Sequence, residues 1–302
     1  MIENLTKILP KEIIEYYNFI YSFKSSKDIW EYRFISNEEF LEIDDPNGMA
    51  KIYWLEMLYR THIVVLVSWF KALRWLDSLD NNINNYYGFC SNLRSLVESC
   101  ADSFYTLRSA PLTIAKDYRA IYESINNNNS PIILFHKPLE ETLLHFIQGT
   151  KLSKEEKKSY PAEYNAKHIV EYLSSIEGGN EEITQLYSYL CGISHPAYES
   201  TQMFLFLHNE DTIVCGDSYD FEKKQVEELA EIFGDSLSKM FNVFMANTFS
   251  TLNLLNYFQI PEIHSENIAD KIEWHSSWVE IAKYMDESHK LYLQALEKEN
   301  YE

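Results

Sequence analysis

The sequence predicts an all-α protein, a multi-helix bundle of about eight to ten helices, and three observations carry that prediction. Glycine and proline are scarce, eight of each in 302 residues, whereas a chain built from short strands needs turn residues every ~8–12 positions. Apolar residues recur at three-and-four spacing through long unbroken stretches, the pattern of a helix with one buried face. Hydrophobic residues make up 46% of the chain and aromatic residues 15%, ample for the core such helices need.

Each element follows from these patterns in turn. Lys11 to Phe23 reads as a short helix with Ile13, Ile14, Tyr17, Phe19 and Ile20 on a broad apolar face. Asp44-Asp45-Pro46-Asn47-Gly48 is a turn by composition and releases a long helix from about Met49 to Leu79. Between Ile63 and Leu76 that helix is apolar nearly all round, as an element covered on most sides must be, so it belongs at the centre of the bundle. Asp80 to Asn85 breaks it, and the next helix places Phe89, Leu93, Leu96, Val97, Cys100 and Phe104 on one face. Pro111 ends that run, Leu112 to Ile125 forms another helix, and Asn126 to Ser130 is a polar loop. A helix from about Leu139 to Gln148 stops at Gly149, which reads as a C-terminal cap.

Lys151 to Tyr160 is charged and precedes Pro161, the best candidate for an exposed connection. Helices follow at about 162–176 and 181–194, separated by Gly178-Gly179-Asn180. Gln202 to Leu207 and Thr212 to Cys215, around Asn209-Glu210-Asp211, form the one plausible β-hairpin, although a buried apolar segment of helix reads similarly. A long helix runs from Phe221 to Phe258 and stops before Pro261; a last one, about 267–296, carries Ile268, Ile272, Val279, Ala282 and Met285 on one face. This order divides the chain into an N-terminal helical segment (1–48), a helical core (49–200) and an acidic C-terminal hairpin with long helices (201–302) packed on that core as one unit.

The formal charge is −20. Lys and Arg number 14 against 19 Asp and Glu in residues 1–150, and 12 against 27 in residues 151–302, so the second half is the acidic one. All six arginines (Arg33, Arg60, Arg74, Arg94, Arg108 and Arg119) precede residue 120, and any bidentate recognition of an anion falls to that half. Cys90, Cys100, Cys191 and Cys215 make no Cys-x-x-Cys pair and sit among apolar or small residues, which reads as buried thiols. No stretch reaches the ~18 uncharged apolar residues of a membrane span. The start of the chain lacks a basic region followed by an apolar one, so the expected location is cytoplasmic, with no membrane partner.

One place carries ionisable residues at spacings that suggest a site. Arg94 and Glu98 lie four apart, on one face of a helix. Asp102, Tyr105 and Arg108 continue that polar stripe, and a polar stripe between helices needs partners or a ligand. A second helix ends in Ser194-His195-Pro196, where the negative end of the helix dipole favours imidazolium, a proton donor near neutral pH. Tyr187, Cys191 and Ser194 project from one face of that helix, so a hydroxyl can converge with the imidazole. The plainer reading is that Arg94 and Glu98 form a surface ion pair and that His195 caps its helix.

The pair Arg94-x-x-x-Glu98, with Tyr187 followed by Ser194-His195-Pro196, resembles a poorly characterised group of bacterial helical proteins placed near the HEPN (higher eukaryotes and prokaryotes nucleotide-binding) domains. The likeness covers about residues 50 to 200. It implies a helical bundle that often forms a homodimer and, in active members, metal-independent RNA cleavage in toxin, phage-defence or CRISPR-linked settings. Those nucleases carry an arginine followed four to six residues later by a histidine. None of the nine histidines here follows an arginine at that spacing. Cleavage would therefore require Arg94 and His195 to converge from different helices, with His195 as general acid or base, Arg94 stabilising the phosphorane, Glu98 orienting Arg94, and Tyr187 and Ser194 supplying hydroxyls.

Two functions stand side by side at this point. The first is an HEPN-like ribonuclease or RNA-directed defence effector needing no cofactor. The second is a noncatalytic helical sensor or interaction module, with an acidic surface suited to a basic protein partner and exposed aromatic residues such as Trp274 and Trp278 at the interface. No metal is expected: Glu141-x-x-x-His145 and Asp286-x-x-His289 each place a carboxylate beside an imidazole, but neither recurs in the paired Glu-x-x-His form of carboxylate-bridged bundles. No phosphate loop, Gly-x-Ser-x-Gly elbow or His-Glu-x-x-His motif is present.

Overall fold

A computed structural model describes residues 2–26, 29–126, 133–176, 180–202, 204–209, 212–216, 219–265, 268, 272 and 275–299. The chain is an all-α multi-helix bundle. Its helices are α1 (Lys11–Ser26), α2 (Asn37–Leu41), α3 (Pro46–Asn81), α4 (Tyr86–Leu107), α5 (Ala110–Lys116) and α6 (Tyr118–Asn126). They continue as α7 (Lys137–Gln148), α8 (Ile169–Leu173), α9 (Asn180–Ser194), α10 (Tyr198–Gln202), α11 (Tyr219–Asn256) and α12 (Ser276–Glu299). Two short strands, β1 (Leu205–Asn209) and β2 (Thr212–Cys215), pair antiparallel between α10 and α11. The expected hairpin is thus present, but Gln202 belongs to α10 and not to a strand, and Glu210 and Asp211 of the expected turn lie outside the described residues.

The chain forms two compact units that interleave along the sequence, whereas the sequence suggests three consecutive segments. The first comprises residues 1–28, 68–102 and 168–244; the second comprises 29–67, 103–167 and 245–302. Helices α3, α4 and α11 contribute residues to both.

In the first unit the core is built on aromatic edges. Trp69 of α3 is buried, with Phe19 and Phe23 of α1 meeting it edge-on at centroid distances of 5.8 and 5.0 Å. Tyr17 is buried with its hydroxyl donating to Asp77 Oδ1 at 2.7 Å, and the backbone N–H groups of Asn4 and Leu5 donate to Asp80 Oδ1 at 2.8 and 2.9 Å. Those acidic side chains at the end of α3 therefore satisfy donors that the N-terminal turn would otherwise bury unpaired. Along 63–76 of α3 only Lys71 and Arg74 are exposed, as an element covered on most sides requires.

In the second unit Trp54 of α3 is buried and its indole N–H donates to the Leu134 carbonyl at 2.8 Å. Helix α12 packs on α5 and α6. After α11 the chain reverses at Gln259, whose φ of 58° is the left-handed conformation that usually favours glycine.

Several sequence expectations are corrected. Pro111 sits in the first turn of α5, where its missing N–H removes no helical bond, and Asp117 then separates α5 from α6, so 112–125 is not one helix. Helix does not fill 162–176: Tyr164 and Ala166 pair with the backbone of Thr150, and helix resumes at α8 behind a His168–Glu171 capping box. Gly149 does cap α7, at an ordinary negative φ; a side chain there would collide with the His145 carbonyl. Cys90 and Cys100 are buried, but Cys191 is half-buried and Cys215 is exposed. Trp278 is buried against Tyr257, so it offers nothing to a partner, and Trp274 lies outside the described residues. So do Asn127 to Ser130, Gly178, Gly179 and most of 266–274.

Candidate functional site

The five residues singled out in the sequence all belong to the first unit, Arg94 and Glu98 on α4 and Tyr187, Ser194 and His195 on or just after α9. Both helices turn their apolar faces inward: Leu93, Leu96 and Val97 of α4 and Ile183, Leu186, Leu190 and Ile193 of α9 are buried. The polar residues between those positions are thereby brought to the margin of the packed faces, where they meet. Below them the Tyr86 hydroxyl lies 2.6 Å from that of Tyr189, a second link between the same two helices.

Four of the five form a continuous chain of contacts. Arg94 Nε donates to Glu98 Oε1 at 3.0 Å, and the Tyr187 hydroxyl donates to the same oxygen at 2.8 Å. The Arg94 guanidinium lies 5.6 Å from the Tyr187 ring centroid. Its Nη1 meets His195 Nε2 at 3.1 Å, across 101 residues of chain. Ser194 does not join them; its buried Oγ has no hydrogen-bond partner among the described residues.

The contact between Arg94 and His195 selects a state of the imidazole. A guanidinium only donates, so Nε2 must accept, and a neutral ring that accepts at Nε2 carries its proton on Nδ1. An imidazolium has no lone pair to offer there. In that tautomer the Nε2 lone pair is the one engaged by Arg94. The His195 N–H still closes the last helical turn on the Cys191 carbonyl at 3.0 Å, so the side chain is fixed to the end of α9.

Electrostatics around the group favour keeping the arginine charged. Burial works against the Arg94 charge, but the neighbouring Tyr187, Cys191 and Glu98 outweigh it and hold the guanidinium above its ordinary pKa. Burial, then the hydrogen bond to Glu98, raises Tyr187, which stays a neutral donor. The arginine and glutamate side chains retain 26% and 36% of their exposure, and His195 is exposed, so the cluster can meet a ligand from solvent.

The segment after His195 is anchored close by. The Tyr87 hydroxyl donates to the Ser200 carbonyl, and its ring stacks on Phe204 at 5.6 Å. At Gly192 a side chain would press on the Glu199 carboxyl group, so glycine lets α10 fold back against α9.

The remainder of the predicted stripe goes elsewhere. Asp102 lies 3.8 Å from Lys71, and Arg108 stacks on Tyr105 in the second unit. The Glu141/His145 pair is also otherwise engaged: Glu141 pairs with Lys137 at 3.4 Å, and His145 Nδ1 lies 2.8 Å from the Glu163 carbonyl. Among the described residues no group of three or more His, Cys, Asp or Glu side chains gathers as a metal site. No helix among them is long and apolar enough to cross a membrane. An open groove along α9 is lined by Glu181, Thr184, Gln185 and Ser188, none of them in the cluster. Comparison with known protein families, curated proteins and solved structures gives no match to this chain.

Proposed function

We propose that this is an HEPN-like protein that cleaves RNA without a metal, in a toxin or phage-defence role, at the Arg94–His195 pair. The observation that supports this reading is the 3.1 Å contact between Nη1 and Nε2, which brings the two residue types needed for transesterification together from different helices. An RNA phosphate draws the Arg94 guanidinium off Nε2. The freed lone pair takes the 2′-hydroxyl proton while the 2′-oxygen attacks the adjacent phosphorus. Arg94 stabilises the charge of the phosphorane, and Glu98, fixed by Tyr187, keeps the guanidinium in place. The P–O5′ bond then breaks, and the departing oxygen takes the proton from the imidazolium. The products are a 2′,3′-cyclic phosphate and a 5′-hydroxyl.

A chain of net charge −20 repels RNA except near its arginines, so binding should be weak and fall with salt. Incubating RNA with the wild-type protein in a metal chelator, beside Arg94→Ala and His195→Ala, tests the reading. Cleavage to cyclic-phosphate ends, reduced ~10²-fold or more in each variant, is expected. Cleavage that survives both substitutions sinks it.

A second reading has its own support. Glu98 Oε1 holds Arg94 and Tyr187 together, a polar link between helices that requires no substrate. The protein would then be a noncatalytic module for a basic protein partner. Absence of cleavage by the folded wild-type protein, with copurification of such a partner, selects it.

A further inference from the structure

The second unit contains a cleft of about 440 Å³, within the range of small-molecule sites, that takes no part in the RNA reading. Its walls are aromatic: Phe40 of α2, Tyr53 of α3 and Phe135 ahead of α7. Phe135 lies 5.1 Å from Tyr53, edge to face, and yet remains 52% exposed, so its other side is open. An exposed phenylalanine fixed at the mouth of a cleft is a surface that a second ring can cover.

The polar groups of the cleft are only partly engaged. Glu56 is fully used: one oxygen accepts from Arg60 Nη2 at 3.0 Å and the other from the Ile35 N–H at 3.0 Å. Arg60, its side chain only 18% exposed, has no hydrogen bond from Nε or Nη1 to any described residue. The Tyr53 hydroxyl accepts from the His136 N–H at 3.0 Å, which leaves its own proton to donate. Lys137 is neutralised by Glu141 at 3.4 Å, whereas the Glu140 carboxylate forms no ion pair with a described residue. Among the charged side chains described as lining the cleft, Glu140 alone forms no ion pair with a described residue, so an unpaired negative charge remains there. That balance disfavours a multiply charged anion such as a phosphate. It suits a ligand with one carboxylate for the Arg60 and Tyr53 donors, one ammonium for Glu140 and a ring for Phe40 and Phe135.

We infer that this cleft binds a free aromatic α-amino acid as its zwitterion. The test is titration calorimetry of the full chain with L-phenylalanine and L-tryptophan, beside phenethylamine, which lacks the carboxylate, and 3-phenylpropionate, which lacks the ammonium. The amino acids should bind saturably, with each truncated probe ~10-fold weaker or worse, because a charge-assisted contact is lost. Glu140→Gln should weaken phenylalanine to a similar degree and bind 3-phenylpropionate at least as well as the wild type does. Phe135→Ala, at a half-exposed position, should weaken all four probes. Cleavage of RNA is read separately, so either site can fail alone. The inference is overturned by no saturable heat with either amino acid, by a truncated probe that binds as tightly, or by undiminished binding of phenylalanine in Glu140→Gln.

Discussion

Arg94 in the first unit and Arg60 in the second are each held by a glutamate four residues away on the same helix, both at 3.0 Å. They differ in what the rest of the fold brings to the free face of the guanidinium. At Arg94 the end of α9 delivers His195, whose Nε2 lies 3.1 Å from Nη1 at the exposed edge of the two helices. At Arg60 a phenylalanine stacks, Phe34 at 5.1 Å, and the residue lines a cleft. The same helical spacing thus leads to two different surroundings, and the deciding element is the distant segment.

Burial separates the two pairs as well, and this gives the largest expected difference. Side-chain exposure is 18% and 15% for Arg60 and Glu56, against 26% and 36% for Arg94 and Glu98. Glu56→Ala strands a desolvated guanidinium and the Ile35 N–H together, and should lower stability by about 2–3 kcal/mol. Glu98→Ala, screened by water, should cost about 1 kcal/mol or less. Urea melts of the two variants decide the matter; equal losses would remove the distinction.

The neighbouring tyrosines offer a smaller contrast through pH. Burial pushes Tyr53 up to about 12 from an ordinary value of 10.0. Burial and then Glu98 raise Tyr187 too. In both cases the folded protein keeps the proton longer than the unfolded chain does. The associated stability is therefore complete below about pH 10 and declines as pH rises, for Tyr53 through about 12. Tyr53→Phe should show a smaller loss of stability than the wild type between about pH 8 and about pH 11. An unchanged pH profile would contradict the assignment.

The smallest effect is expected at Tyr187 itself. Tyr187→Phe removes one donor from Glu98 while leaving the ring against Arg94, so it should destabilise by about 0.5 kcal/mol at neutral pH. If the tyrosine positions Glu98 for catalysis, the same variant lowers RNA cleavage more than it lowers RNA binding. A loss confined to binding would make it a mere surface contact.

Much of the scaffold is legible in the sequence because it depends on local rules. The apolar stripes of α3, α4, α9 and α11 mark those helices to within a few residues of their ends. Errors arise where a distant contact overrides a local preference, as at 162–168, where Thr150 captures the backbone of Tyr164 and Ala166. Local spacing also pairs Arg94 with Glu98. Nothing local reveals that His195 lies against Arg94, because that depends on how α4 and α9 pack. Ser194 shows the limit from the other side: it shares the face of Tyr187 by periodicity, yet its buried hydroxyl finds no hydrogen-bond partner among the described residues. The cleft of Tyr53, Arg60 and Glu140 escapes the sequence altogether, since its walls come from α2, α3, α7 and the segment before α7.

The central claim is that Arg94 and His195 act as one unit on RNA, and a double-mutant cycle on single-turnover cleavage tests it most directly. If they do, Arg94→Ala combined with His195→Ala is scarcely slower than either alone, a coupling of at least ~1 kcal/mol. Two losses that simply multiply would mean that the residues touch but work independently, contrary to this account.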